Sequence, residues 1–600
     1  MSVKKAQTRT ERDALGSIKV PKDAYYGSFT ARALQNFNVS KIKAFPSFRI
    51  ALANIKIAAA QTNAELGELQ KSHAKAIIQA ANEFIDGKFY DEYPIDIFQA
   101  GAGTPFNMNL NEILANRANE ILGGKKGEYK PITPNNHVNW GQSSNDAIPT
   151  AIRLAALTEA RELLPEIEKL SKAFFQKSKQ FKNILKIGRT HLQDAVPITL
   201  GQEFEAWGST IKRSHDHIKQ SFSHLQEIAI GGTALGTGIT AHPKYRSLMV
   251  KNLSKLTKIR FYPTKYPMEL SSNMSAFAIA SGSLATLGND LIRISKDLRI
   301  LASGPAGAIN EINLPEVEPG SSIMPGKVNP SIAECMTMIG LQINGNHHTV
   351  TAAVRESELE LNTMTPVIML NLLWSIHILQ SGCAMFRDLC VKGITANTDH
   401  IEKLLNGSLC LATGLSPYIG YKATAELVNE ALKKGKSLME TAESKDFMTK
   451  KELTTILSAK KLTKPHATDQ KLKKRIENNP NFQEFIKKIS GFLPTALDSG
   501  AELRLNIEAF NQKNMASKQH GLTTMNATRP KKKIRHRKNK INARKRKQVL
   551  LTALEEAIAV ARGEHSSKKA AAPAKKETAK KPAAKKPAAK KETKKAEKEA

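Results

Sequence analysis

The sequence predicts an all-α fold built on a bundle of long helices, because apolar residues recur at helical spacing over long stretches and helix breakers fall between them. Met268 to Leu301 contains no proline and only two glycines, with Leu291, Ile294, Leu298 and Leu301 in the i, i+3, i+7, i+10 pattern of one helix face. Ala151 to Leu185, interrupted only by Pro165, and Pro366 to Val391 have the same character. No alternation of βα units and no internal repeat occurs before the C-terminal tail.

With 600 residues, 41% of them hydrophobic, the chain can bury a sizeable core across several domains. The longest strongly apolar run, Val367 to Leu379, is broken by Asn371 and His377 and is too short to span a bilayer, so no membrane partner is expected. The N-terminal MSVKKAQTRTERDALGS lacks an apolar signal region. Cys335, Cys383, Cys390 and Cys410 show no CxxC or metal-ligand spacing, which suits free thiols in a reducing compartment and a cytoplasmic protein.

The net charge of +35 is unevenly spread. Residues 529–600 carry 26 Lys and Arg against 7 Asp and Glu, a net of +19, which leaves +16 for the preceding 528 residues. This composition marks the main boundary of the chain.

One segment carries the chemistry most directly. GSSIMPGKVNP, Gly320 to Pro330, puts a serine, a lysine and an asparagine on one loop whose two glycines and two prolines rule out regular helix. Removing a proton beside a carboxylate creates a dianion, which needs donors aimed at the developing charge; Lys327, Asn329 and loop N–H groups are of the right type. Ser321 is then the candidate base, provided the same donors stabilise its alkoxide in a closed, dry site.

Three further polar clusters lie far apart in sequence. GAGTPFNMNLNE, Gly101 to Glu112, offers Thr104, Asn107 and Asn109 beside two glycines. In GQSSNDAIPT, Gly141 to Thr150, Ser143 or Ser144 suits a helix cap and leaves Asn145 and nearby N–H groups facing a carboxylate. GRTHLQDAVPITLGQE, Gly188 to Glu203, contains Thr190, His191, Gln193 and Asp194. Taken singly, the first two fit helix caps and the third a structural histidine. The glycine-rich GGTALGTG, Gly231 to Gly238, has neither nucleotide-binding spacing, so no nucleotide site is expected there.

Together these clusters and the loop resemble, in order and spacing, the signature regions of the fumarase/aspartase superfamily, over about Arg12 to Pro465. The resemblance implies a three-domain, all-α fold whose central bundle builds a 20-helix tetramer core, with each active site made by regions from different chains. Thr104, Ser143, Ser144, Asn145, Thr190, Lys327 and Asn329 would bind the substrate's carboxylate and leaving-group ends. Ser321 resembles the base, His191 the leaving-group histidine, and Glu334 its carboxylate partner. A small dicarboxylate or amino-acid substrate and no required cofactor follow from the same resemblance, with activation by a divalent cation left open. Where relatives usually read SGPR, this chain reads Ser303-Gly304-Pro305-Ala306.

The leaving group is decided elsewhere. Hydroxide needs protonation as it departs, whereas an ammonium group already carries its proton. Ala102 stands where fumarases commonly show serine, and Thr133-Pro134-Asn135-Asn136-His137 replaces their His-Pro-Asn-Asp loop. DAYYG (Asp23 to Gly27), KGEY (Lys126 to Tyr129) and NEINLPE (Asn310 to Glu316) are also aspartase-like, while Ser143-Ser144 and GGTALGTG are closer to fumarases. The balance favours expulsion of ammonia from L-aspartate; class II fumarate hydratase is the alternative, and a lyase scaffold serving mainly as a nucleic-acid-associated protein through its basic tail is a second one.

The expected organisation is an N-terminal domain at 1–140, a central bundle at 141–392, a small helical domain at 393–465, a helical extension at 466–528 packed on the tetramer, and a disordered basic tail at 529–600. RPKKKIRHRKNKINARKRK, Arg529 to Lys547, suits salt-dependent, sequence-independent contact with nucleic acid. Leu550, Leu554, Ala557, Ile558 and Ala561 share one face of a short helix, and beyond Ser566 the Lys/Ala/Pro repeats resemble linker-histone tails.

Overall fold

A computed structural model describes residues 7–490 of the chain. It opens on an antiparallel hairpin, β1 (Thr8–Asp13) and β2 (Gly16–Pro21), followed by α1 (Ser28–Asn36), α2 (Pro46–Glu65), α3 (Lys71–Ile85) and α4 (Thr104–Ile121). DAYYG and KGEY meet here. Lys126 Nζ donates to Asp23 O at 2.9 Å and lies 4.4 Å from the centre of the Tyr25 ring. Glu112 accepts the N–H groups of Gly27, Phe29 and Thr30 at the start of α1, and a Cβ on Gly27 would overlap Tyr129 Oη, so only glycine fits.

The bundle comprises α5 (Ser144–Gln180), a hairpin of β3 (Leu185–Thr190) and β4 (Gln193–Thr199), α6 (Leu200–Ser223), α7 (Tyr245–Thr257), α8 (Pro267–Ser272), α9 (Ser275–Leu301), α10 (Ser331–Arg355) and α11 (Thr365–Leu389). The expected Met268–Leu301 helix is broken because Asn273 Oδ1 accepts the Ser275 N–H at 2.9 Å. The expected Ala151–Leu185 helix ends at Gln180, since Leu185 already belongs to the hairpin.

Contacts along the helices fix their directions. Ser171 Oγ donates to Gly208 O and Arg153 to His224 O, so α6 runs back along α5; Ser221–Ser283 and Arg299–Glu334 set α9 against α6 and α10 against α9. Asn346 meets Ser375, placing α11 antiparallel to α10. Thus α5, α9 and α11 point one way and α6 and α10 the other. At 37 residues, α5 is about 55 Å long and separates two ends of the bundle.

One buried cluster runs from Ala33 to Ile401 and forms the main core. The apolar run at Val367 belongs to a longer helical stretch, Thr365–Gly393, with mean hydropathy 1.4 over its most apolar window, long enough to cross a membrane by length and composition. Ile368, Met369, Leu372, Leu373, Ile376 and Leu379 are buried in this core, which is the physical reason for its apolarity. All four cysteines are free, three of them buried.

A second cluster, Ala412 to Phe482, unites the small C-terminal helical region with the extension. Helices Gln470–Glu477 and Pro480–Ser490 lay Ile476, Phe482 and Phe485 against Phe447, whose ring centre is 5.2 Å from that of Phe482. The described part of the extension therefore packs on the chain's own small domain, because its amphipathic faces cover that domain's apolar surface. Residues 491–528, the tail at 529–600, its short helix and its nucleic-acid contact lie outside the described residues.

Candidate active site

At one end of the bundle the head of α5 gathers three sequence-distant segments. Ser143 is the cap: its Oγ accepts the Asn145 N–H at 3.2 Å, while Asp146 Oδ1 accepts the Ser143 N–H at 2.9 Å, completing a capping box. Ser144, in the first turn, accepts from Asn107 Nδ2 at 3.1 Å, which brings in α4. Asn145 Nδ2 donates to Ala234 O at 2.6 Å, and Asp146 Oδ2 accepts the N–H groups of Gly231 and Thr233, both at 2.9 Å. The glycine-rich segment is thereby stapled to the helix head as a turn. Thr104 begins α4, half-buried beside Gly101 and Ala102. The Ala102 N–H donates to Thr363 O at 2.9 Å, and a Cβ on Gly101 would come within 2.5 Å of Thr363 Cβ.

Beneath these groups lies a residue the sequence did not single out. Lys56, fully buried in α2, donates to Asn107 Oδ1 at 2.7 Å and to Asn139 Oδ1 and Gln142 Oε1, both at 3.0 Å. Burial pushes the Lys56 ammonium down and the Asp146 carboxyl up, and each charge partly holds the other in place. Three amide oxygens around Lys56 and three N–H groups on Asp146 suit the ionised forms. Lys56 aligns Asn107, and Asn107 in turn holds Ser144.

At the opposite end stand the other candidates. Ser321 Oγ accepts N–H bonds from Met324 at 3.0 Å and Ile323 at 3.3 Å. Asn329 Nδ2 donates to Gly320 O and closes the base of the loop, where a Cβ on Gly320 would overlap Lys327 O. The loop is open to solvent, with Lys327 exposed and Ile323 84% exposed. Thr190 and His191 sit at the tip of the β3–β4 hairpin, where His191 and Leu192 take φ values of 55° and 60°; Leu192 is 70% exposed. Thr190 ends β3 and His191 enters the turn to β4.

Glu334 lies in the first turn of α10, 3.5 Å from Arg299 Nη2. Among the described residues no hydrogen bond joins it to His191, and none joins either to Ser321. Ala306, in place of the usual arginine, is exposed on the segment between α9 and the loop. A single chain thus assembles Thr104, Ser143, Ser144 and Asn145 at one end of α5. It carries Thr190, His191, Ser321, Lys327, Asn329 and Glu334 towards the other.

Comparison with known proteins identifies the family. Residues 16–345 match the family described as Lyase, and residues 411–464 match that described as Fumarase C C-terminus. Fumarate hydratase class II 2 of Bradyrhizobium diazoefficiens is 43% identical over 459 residues, covering 76% of this chain and 97% of the relative. Aspartate ammonia-lyase of Bacillus subtilis is 42% identical over 464 residues, covering 77% and 98%. Among solved structures, class II fumarase from Schistosoma mansoni superposes with a TM-score of 0.75 at 37% identity, covering 77% of this chain and 100% of that one. The chain belongs to the fumarase/aspartase family of lyases. Lyases of this family need no cofactor.

Proposed function

We propose that this lyase eliminates ammonia from L-aspartate to give fumarate, with Ser321 abstracting the Cβ proton. The two N–H groups on Ser321 Oγ support that role, because they stabilise an alkoxide once the loop closes over substrate. Lys327 and Asn329 hold the aci-carboxylate dianion; Thr104, Ser143, Ser144, Asn145 and Thr190 hold the remaining carboxylate and the departing amine. His191, oriented by Glu334, faces the leaving group.

The single observation that carries the choice of leaving group is Ala102. Beside Thr104 it offers a methyl where a hydroxyl would help hold water. The turn at Thr133 supports the same reading, since His137 Nδ1 accepts the Thr133 N–H at 3.1 Å and burial beside His73 pushes the imidazole down. DAYYG and KGEY pack against each other through Lys126, Asp23 and Tyr25. Following fumarate absorbance with L-aspartate and L-malate offered separately tests the proposal: turnover of aspartate is expected, and turnover of malate alone would refute it.

We also propose a homotetramer in which chains exchange their ends. The candidates in one chain are separated by about the 55 Å length of α5, so a second copy must supply what the first lacks. Exposed Met338 and Leu341 on α10 offer the apolar surface for such packing. Refolding a mixture of S321A and N145A chains should restore part of the activity each lacks alone. No restoration would place the whole site within one chain.

The +19 of residues 529–600 supports an added role in salt-dependent contact with nucleic acid. Retention on DNA should fall steeply with salt for the full chain and be lost for residues 1–528. Equal retention of the two would end that reading.

A further inference from the structure

The small C-terminal domain and its extension concentrate positive charge that the elimination chemistry does not use. Residues 411–490 carry 16 Lys and Arg against 9 Asp and Glu, a net of +7, whereas residues 1–410 carry only +9. Many of the carboxylates here are already committed. Glu430 pairs with Lys434 and Lys445, Glu477 with Lys473, and Glu484 with Lys488. Asp469 caps the helix Gln470–Glu477 by accepting the N–H groups of Lys471 and Leu472 at 3.0 and 3.1 Å, and Glu452 completes the capping box of the helix Lys450–Ile456.

The fold draws other cations of this region together. In Gln470–Glu477, Leu472 and Ile476 turn onto the core of the small domain, which leaves Lys471, Lys474 and Arg475 exposed on the outer side. Arg475 reaches Glu452 and donates to Phe447 O at 3.2 Å, which sets this helix against the first turn of Lys450–Ile456, where Lys450 and Lys451 are exposed. Of the cations on these two helices, Lys473 and Arg475 are the ion-paired ones among the described residues. Five cations and one carboxylate therefore share the outer surface where the helices adjoin.

Gathering like charges is unfavourable in itself, and a polyanion relieves it while releasing its own counterions. The surroundings select the kind of polyanion. Among the described residues no large apolar side chain from 433 to 490 is exposed, because Leu453, Ile456, Ile476 and Phe482 point inwards. A helix lying on a membrane needs an outward apolar face, and a surface that stacks bases needs aromatic rings; this one has neither. A phosphate backbone needs only the cations. The chain also runs on from Ser490 through 38 residues to the basic cluster at Arg529.

We propose that Lys450, Lys451, Lys471 and Lys474, with Arg475, form a folded contact surface for the phosphate backbone of duplex DNA, acting together with the basic tail. The inference rests on the nucleic-acid contact proposed above for residues 529–600. So few phosphate contacts bind too weakly alone to retain DNA, in keeping with the loss expected for residues 1–528. Joined to a tail already on the duplex, the surface meets the next phosphates at high effective concentration and adds to the total affinity.

The test compares K450Q/K451Q/K471Q/K474Q with K71Q/K75Q/K251Q/K255Q, each in the full chain; the second set removes the same charge from exposed lysines of α3 and α7. Binding of a labelled duplex of mixed sequence is followed by fluorescence anisotropy over a salt series. Each lost phosphate contact lowers the slope of log K against log salt by about 0.9, so the first variant is expected to lose about 3 from the slope and about tenfold or more in affinity near physiological salt. Its melting temperature and lyase turnover should stay at wild type, and the second variant should keep the wild-type slope. An unchanged slope in the first variant, or an equal fall in both, would overturn the proposal. If the first variant instead loses binding to phosphatidylserine vesicles while its DNA slope holds, the surface belongs to a membrane and the proposal falls. No binding by the wild-type chain at low salt would remove the tail reading and this proposal together. A steep wild-type slope that the first variant shares would remove the folded surface alone.

Discussion

The head of α5 and the loop at Gly320 contain similar polar residues but are built on different principles. At the helix head, Asp146 and Lys56 are buried and three candidates are tied to neighbours: Ser143 to Asp146, Ser144 to Asn107, Asn145 to Ala234. At the loop, Ser321 is held only by N–H groups two and three residues away, and Lys327 stands in solvent. One half of the proposed site is prepared before substrate arrives. In the proposed tetramer the other half would gain its dry surroundings on closure against a second chain. The head is thus fixed in advance, while the loop brings the proposed base, Ser321, together with the proposed dianion-binding groups Lys327 and Asn329.

The largest expected effect breaks this contrast if it fails. S321A should lower kcat by about 10⁴-fold, the upper range for loss of a positioned base, with melting temperature and tetramer unchanged. Turnover within tenfold of wild type would show that the base lies outside the loop. G320A should act next most strongly, because a Cβ there overlaps Lys327 O and displaces Lys327 and Asn329 together. We expect about a hundredfold loss of kcat and less than about 0.5 kcal/mol of stability, since the loop is exposed. A large fall in melting temperature would mean that the loop is integrated with the core.

K56M tests the opposite half. Removing the ammonium strands the side-chain oxygens of Asn107 and Gln142, leaves Asn139 Oδ1 with its bond from Asn107 Nδ2 alone, and leaves Asp146 buried without a nearby cation. We expect about 3 kcal/mol of lost stability, measured by denaturant unfolding, together with a raised KM as Asn107 releases Ser144. Unchanged stability would show that water replaces the ammonium and that the head is less rigid than its bonds suggest.

These two halves were unequally legible in the sequence. The Gly320 loop announced itself, because paired glycines and prolines exclude helix and leave Ser321, Lys327 and Asn329 as the chemistry. Ser143 was legible as one of two candidate caps from the polar run before an apolar helix; only the Asp146 carboxylate on its N–H decides between it and Ser144. Lys56 was not legible, since one lysine in NIKIAAA says nothing of the three amides that meet it from α4 and from the segment between α4 and α5. The hairpin was missed for a local reason. Its tip uses Thr190-His191-Leu192-Gln193 with positive φ at His191 and Leu192, without the Asn-Gly or Asp-Gly signal that normally marks such turns. DAYYG and KGEY were legible as family marks but not as packing, because the contact between them joins segments about a hundred residues apart.

The smallest effect gives the finest test of the comparison. S143A removes the cap oxygen that receives the Asn145 N–H but leaves the Asp146 bond to the Ser143 N–H in place. Half of the capping box survives, so the cost should be about 1 kcal/mol. If the head is preorganised as its bonds indicate, Asn145 remains held through Ala234 O and Ser144 through Asn107, and the catalytic loss should fall on KM with kcat within about threefold of wild type. A matching fall in kcat would mean that Ser143 meets the transition state itself, and that the helix head acts in the elimination step as well as in binding.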